Sequence, residues 1–190
     1  MQIFLIGPSG SGKDTQAKLI SQEYNLHWMS VGDLLRHRML VDDEHGRLIA
    51  SILNAGELVD WAHLLPIIKE EITKYPKNYI WTGFPRTLEQ AVDFDELVKD
   101  DENRLDLVIN LSLSEEITKS RIENRKNTDQ NVREDDKNDE IIQRRMNWYK
   151  DSINQIEDYY NETGRLMSVD ASRDIPTVFE EIKRRVEEKF

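Results

Sequence analysis

The chain has 190 residues, with 37 acidic against 26 basic side chains for a formal charge of −11, 38% hydrophobic residues and no cysteine. That length fits one domain, 1–190, and a globular chain of this size buries roughly 70% of its unfolded surface without staples. Without cysteine there is no disulfide scaffold, thiolate catalysis or Cys-ligated metal. His27, His37, His45 and His63 show neither i,i+4 pairing nor an HExxH context, so no zinc site is expected.

The excess negative charge argues against nucleic acid as a partner. Apolar runs such as residues 3–6 are too short to cross a membrane, so no membrane partner is expected. Met1 and Gln2 provide no basic stretch and Gly7 interrupts the next apolar run, so a signal peptide is not expected and the default is a soluble cytoplasmic protein. No repeat or Pro/Gly/Ser-rich linker divides the chain, and a monomer is expected.

In chain order, residues 2–6 (QIFLI) form a continuous apolar run that ends in a glycine-rich turn, the pattern of a strand buried on both faces. A helix over 14–24 follows, then a strand at 27–30 and helices over 33–40, 44–53 and 61–75. A strand at 79–81, a helix at 88–99, a strand at 107–111 and a helix at 114–125 come next. A long helix over 136–161, a strand at 166–169 and a helix over 175–188 complete the series. The long helix carries Ile142, Met146, Tyr149, Ile153, Ile156 and Tyr160 at helical spacing, read as a stripe facing the core. Alternating strands and helices imply an α/β fold: a five-stranded parallel sheet with helices on both faces and ligands at the strands' carboxyl ends.

The segment Gly7-Pro-Ser-Gly-Ser-Gly-Lys13-Asp-Thr15 leaves a strand and opens a helix, the setting of a phosphate-binding loop. Glycines let successive amide N–H groups converge on an anion at the helix N-terminus. Gly10, Ser11, Gly12, Lys13, Asp14 and Thr15 are therefore expected to hold ATP. Lys13 meets its β/γ-phosphates, and the Thr15 hydroxyl meets Mg²⁺ or a phosphate oxygen. Asp14 stands between Lys13 and Thr15; its carboxylate is expected to point away and leave only its N–H in the cradle.

The GKxT spacing resembles the adenylate kinase family of nucleoside monophosphate kinases, which normally has Gly at position 14. The resemblance continues in Ser30-Val-Gly-Asp-Leu-Leu-Arg36, in Ala55-Gly-Glu57-Leu58-Val59 and in Thr82-Gly83-Phe84-Pro85-Arg86-Thr-Leu-Glu-Gln90. It implies a P-loop kinase fold with a helical monophosphate-binding insertion over 30–59 and a short lid loop over 126–132. Arg36 and Arg86 would grip the acceptor phosphate, Glu57, Leu58 and Val59 would line the base pocket, and Gln90 would meet the base edge. The Phe84–Pro85 bond is expected to be cis.

Phosphoryl transfer demands positioning and positive charge more than covalent chemistry. The resemblance assigns Arg121 to the donor base and Arg125 to the donor phosphates. It gives Arg133 and Arg144 to the phosphates of acceptor and transferred group, supported by Asp135 and Asp136. Lys13, Arg86, Arg125, Arg133 and Arg144 thus form the catalytic set, and Arg144 lies about 200° around its helix from Ile142, away from the stripe. Arg173 falls where the family contacts the donor base largely through backbone. Trp28, Trp61, Trp81 and Trp148 are assigned to core or helix contacts.

Besides Asp14, two positions depart from the family pattern in ways that bear on metal and base. The acid that helps hold magnesium through water is Thr82 here, leaving a hydroxyl without charge. The Thr that favours AMP is Val31, and UMP/CMP kinases carry a small apolar residue there. The reading is reversible, Mg²⁺-dependent phosphoryl transfer from ATP to a nucleoside monophosphate, AMP favoured. The alternatives are a UMP/CMP or other monophosphate kinase, or a catalytically weakened nucleotide-binding sensor. A nucleic-acid-dependent NTPase is disfavoured by the charge.

Overall fold

A computed structural model describes residues 1–75, 77–99, 104–128 and 138–190, with 125–128 as backbone only. The strands are β1 (Gln2–Ile6), β2 (His27–Ser30), β3 (Tyr79–Thr82), β4 (Leu107–Ser112) and β5 (Leu166–Asp170). They form one parallel sheet in the order β2-β3-β1-β4-β5. The connections carry α1 (Lys13–Glu23), α2 (Val31–Arg38), α3 (Glu44–Asn54) and α4 (Trp61–Lys74) before β3, then α5 (Leu88–Leu97) and α6 (Glu115–Thr128). The last two helices are α7 (Asp139–Glu162) and α8 (Ile175–Lys189). The expected five-stranded α/β architecture is present.

Side-chain alternation along β1 divides the core. Ile3 and Leu5 face α1 and α8 with Ala17, Ile20, Val178 and Ile182, whereas Phe4 and Ile6 face the other helices with Phe84, Phe94, Ile156 and Tyr160. Phe4 meets Phe84 and Phe94 edge-on at centroid distances of 5.3 and 4.8 Å. Because β1 is paired on both sides and all its residues are buried, the loop leaving its carboxyl end starts from the most constrained part of the molecule.

Several boundaries differ from the sequence reading, three of them next to the cavities described below. Helix α2 begins at Val31, because the Ser30 hydroxyl accepts from Asp33 N and caps it. Helix α6 continues to Thr128, so residues 126–128 of the segment read as a lid loop are helical; no Gly or Pro stops the helix after Arg125. Residues 129–132 of that segment lie outside the described residues. Helix α7 starts at Asp139, where the Asn138 side chain accepts from the N–H groups of Glu140 and Ile141. Among the described residues, no helix is long and apolar enough to cross a membrane.

Candidate active site

The cradle is made by backbone. Gly7 sits at φ 149°, and a Cβ there would come within 2.8 Å of both Leu111 O and Ser11 Oγ, so only glycine lets the loop turn back over β4. Gly12 caps α1 at φ 84° with no side-chain hydrogen bond, and the N-terminal end of the helix, which attracts anions, lies at the cradle. The Lys13 ammonium donates to Gly7 O at 2.9 Å and Pro8 O at 2.8 Å, pinned across the loop's entrance.

This loop borders a cavity of about 270 Å³ at the carboxyl ends of β1 and β3. Gly10, Gly12, Lys13, Asp14 and Thr15 line it from one side, and Thr82, Gly83, Phe84, Pro85 and Arg86 from the other. Ser11 does not reach it; the residue is buried, and its hydroxyl has no hydrogen-bond partner among the described residues. Phe84 belongs mainly to the core, its ring 5.7 Å from that of Trp61, and the bond to Pro85 is cis as expected. Thr82 is buried, and its Oγ1 accepts from the Trp28 indole N–H at 3.1 Å.

A second cavity, of about 310 Å³, opens beside the first under α2 and the turn after α3. Val31, Leu35, Met39, Leu53, Leu58, Val59 and Leu64 make it apolar, with Glu57 and Gln90 as uncharged-to-acidic polar groups on its wall. Gln90 is fixed by reciprocal capping of α5: Thr87 Oγ1 accepts from Gln90 N, and Gln90 Oε1 accepts from Arg86 N at 2.8 Å. With its oxygen already accepting from the backbone, Gln90 has the two hydrogens of its NH₂ to offer a ligand. Gly56, at φ 69°, would place a Cβ 2.8 Å from Ile141, so the turn and the start of α7 close on each other through that glycine.

The two cavities share Gly32, Arg36, Gly83, Arg86, Arg145 and Trp148. Three guanidinium groups therefore stand where the cavities join. Arg86 Nε donates to Gly83 O at 2.9 Å, and its guanidinium lies 5.1 Å from the centroid of the Trp148 ring. Arg36 is held by Asp33 on its own helix.

The structure corrects one arginine. Arg144, expected at the phosphates, is exposed and donates instead to Ala55 O at 2.6 Å, tying α7 to the turn after α3. Arg145 lines both cavities in its place. The apolar stripe on α7 is fully buried only lower down, at Ile156 and Tyr160; higher up Tyr149 and Ile153 line the first cavity, which Ile156 also reaches. The cleft-facing side of α7 is thus the stripe side, and Arg145, about 60° from Ile142, is on it. Trp148, given no role by sequence, belongs to the site for the same reason. The spacing Arg145, Trp148, Tyr149, Ser152 is i, i+3, i+4, i+7, a signal present in the sequence once the stripe is taken as a ligand wall.

Arg121 lines the first cavity and donates to Ser172 O at 3.1 Å, which joins α6 to the loop before α8. Arg173 does not come to either cavity; its guanidinium pairs with Glu181 on α8, and only its carbonyl, an acceptor for Arg121, faces that way. Arg125 stands one turn after Arg121 and is described as backbone only, while Arg133, Asp135 and Asp136 lie outside the described residues. Behind the first cavity, Asn110 Nδ2 donates to Glu157 and Tyr149 OH reaches Asn110 Oδ1 at 3.5 Å. Burial holds the Glu157 carboxyl above the usual range, and burial together with Glu157 raises the Tyr149 phenol.

The five-stranded parallel sheet with its flanking helices is the core architecture of a nucleoside monophosphate kinase, and the paired cavities lie at one end of it. The adenylate kinase family profile matches residues 5–165. The chain is 34% identical over 190 residues to the adenylate kinase of Rhizobium meliloti (strain 1021), covering 97% of this chain and 98% of that one. It is 33% identical over 215 residues to the adenylate kinase of Archaeoglobus fulgidus, with 98% of both covered. With that of Azobacteroides pseudotrichonymphae the identity is 32% over 192 residues, covering 100% and 99%. The chain belongs to the adenylate kinase family, and membership carries phosphotransferase activity of the nucleoside monophosphate kinase type.

Proposed function

We propose that the chain transfers the γ-phosphoryl group of ATP reversibly to a nucleoside monophosphate, with AMP the favoured acceptor. The observation that carries this reading is the junction of two cavities at Arg36, Arg86 and Arg145. ATP would place its phosphates on the cradle, with Lys13 leaving the loop carbonyls for the β/γ-phosphates. The monophosphate would enter the apolar cavity with its base against Leu35 and Val59 and its phosphate at the junction. An acceptor phosphate oxygen then forms the new bond to the γ-phosphorus as the bond to the β,γ-bridging oxygen breaks, and ADP leaves. Three fixed guanidinium groups cancel the repulsion between the two anions and stabilise charge spread over the transferred group. Arg125 and Arg133 are proposed to add to them, with Asp135 and Asp136 orienting the arginines.

Asp14 and Thr15 on one side of the first cavity and Thr82 on the other carry oxygen groups that suit a hard cation. Among the described residues, no group of three or more His, Cys, Asp or Glu could hold a metal ion alone. This fits an ion shared with the phosphates, and Mg²⁺ held in that way would spread the triphosphate charge. Thr82 would reach it through water, with one lone pair already given to Trp28.

AMP is preferred because Gln90 offers an NH₂ donor to an acceptor nitrogen on the base edge, beside the backbone at 57–59. A uridine or cytidine acceptor is the second reading, favoured by Val31, whose buried hydrocarbon wall cannot hydrogen-bond an adenine edge. Coupled assays with AMP, UMP, CMP and GMP decide between them. AMP is expected to give the highest kcat/KM, by about tenfold or more; a higher value for UMP or CMP rejects the preference. Binding of both nucleotides without transfer would leave a sensor.

A further inference from the structure

The first cavity has five basic residues on its wall, Lys13, Arg36, Arg86, Arg121 and Arg145, and a single acidic one among the described residues, Asp14. Asp14 lies in the first turn of α1, between Lys13 and Thr15, beside the cradle that receives the phosphates. A carboxylate gains from the helix N-terminus, yet it opposes a polyanion bound a few ångströms away. A divalent cation between them reverses the sign of that interaction. Across the cavity at the end of β3, the other oxygen donor is Thr82, which is neutral, buried and engaged by the Trp28 indole. In this loop a carboxylate stands directly after Lys13, and the Thr15 hydroxyl follows it. Mg²⁺ is held by one or two carboxylates together with phosphates, and it keeps several of its waters.

We propose that Asp14 holds the cation of bound Mg·ATP through the ion's water shell, supplying the negative charge that Thr82 does not. Asp14 thereby makes the site selective for the metal complex over free ATP. This rests on the reading of the first cavity as a triphosphate site. The test is the ratio of ATP affinity in saturating Mg²⁺ to that in excess EDTA, measured by calorimetry for wild type, Asp14→Asn and Asp14→Asn/Thr82→Asp. Wild type is expected to bind about tenfold or more tightly with Mg²⁺. In Asp14→Asn the ratio falls to about one, because free ATP binds more tightly as Mg·ATP binds less tightly. Adding Thr82→Asp restores the preference. ATP binding that persists with a ratio unmoved by Asp14→Asn, or not restored by Thr82→Asp, overturns the inference alone. Wild type that binds no ATP under either condition overturns the triphosphate reading beneath it.

Discussion

The two cavities, proposed for donor and acceptor, adjoin, but the cradle of the first and the wall of the second are built of different material. The cradle is mostly backbone: glycine dihedrals and the N-terminal end of α1, rooted in a strand paired on both flanks. The acceptor side is mostly side chains, carried by α2, the turn after α3 and the upper part of α7, beside the edge strand β2. A backbone site tolerates change outside its glycines and fails when those acquire a Cβ. A side-chain site can be retuned residue by residue.

The widest gap between neighbouring positions is expected on α7. Replacing Arg145 by Ala should lower the transfer rate by about 10³-fold, because it removes a fixed charge at the junction. Replacing Arg144 by Ala should change it by about threefold or less, since an exposed contact to a carbonyl is lost. Rapid-quench measurement of single-turnover transfer checks both, and equal losses would return Arg144 to the site.

A pair of glycine substitutions separates the cavities. Gly7→Ala should weaken ATP binding by about tenfold or more while leaving the monophosphate affinity near wild type. Gly56→Ala forces the turn away from Ile141 and should do the converse, by a similar factor of about ten. Equilibrium binding of each nucleotide reads the result. If either variant weakens both ligands alike, the division into a backbone side and a side-chain side fails.

The smallest effect is expected behind the cavity. Burial raises the Glu157 carboxyl above its unfolded value, so its contribution to stability is full below the unfolded pKa and is lost as pH rises through the folded one. Glu157→Gln should therefore raise Tm at pH 8, on the order of 1–2 °C, with the gap closing as pH falls towards 4. Thermal melts across that range test the sign; a variant less stable at pH 8 contradicts it.

The same contrast explains what could be read in advance. The cradle was legible because glycine spacing between a strand and a helix encodes a backbone shape; Arg86 and Gln90 were legible through the family motif that carries them, and the Thr87 cap on α5 holds the two together. Arg145 and Trp148 were not, because periodicity shows which face of α7 is apolar but not whether protein or ligand lies against it. Arg173 turns its carbonyl towards Arg121, in keeping with a contact through backbone, while its guanidinium pairs with Glu181, a partner that loop position alone does not reveal. The hydroxyl of Ser11 turned inward for a similar reason: the loop's amides, not its side chains, face the cavity.

The central claim is that two nucleotides occupy adjoining cavities with their phosphates meeting at the shared arginines. It is tested most directly with an inhibitor of two adenosines joined by a polyphosphate chain. The account predicts one molecule bound per chain, competition against ATP and against AMP alike, and affinity reduced by Arg145→Ala. Competition against only one of the two substrates, or binding indifferent to Arg145, would contradict it.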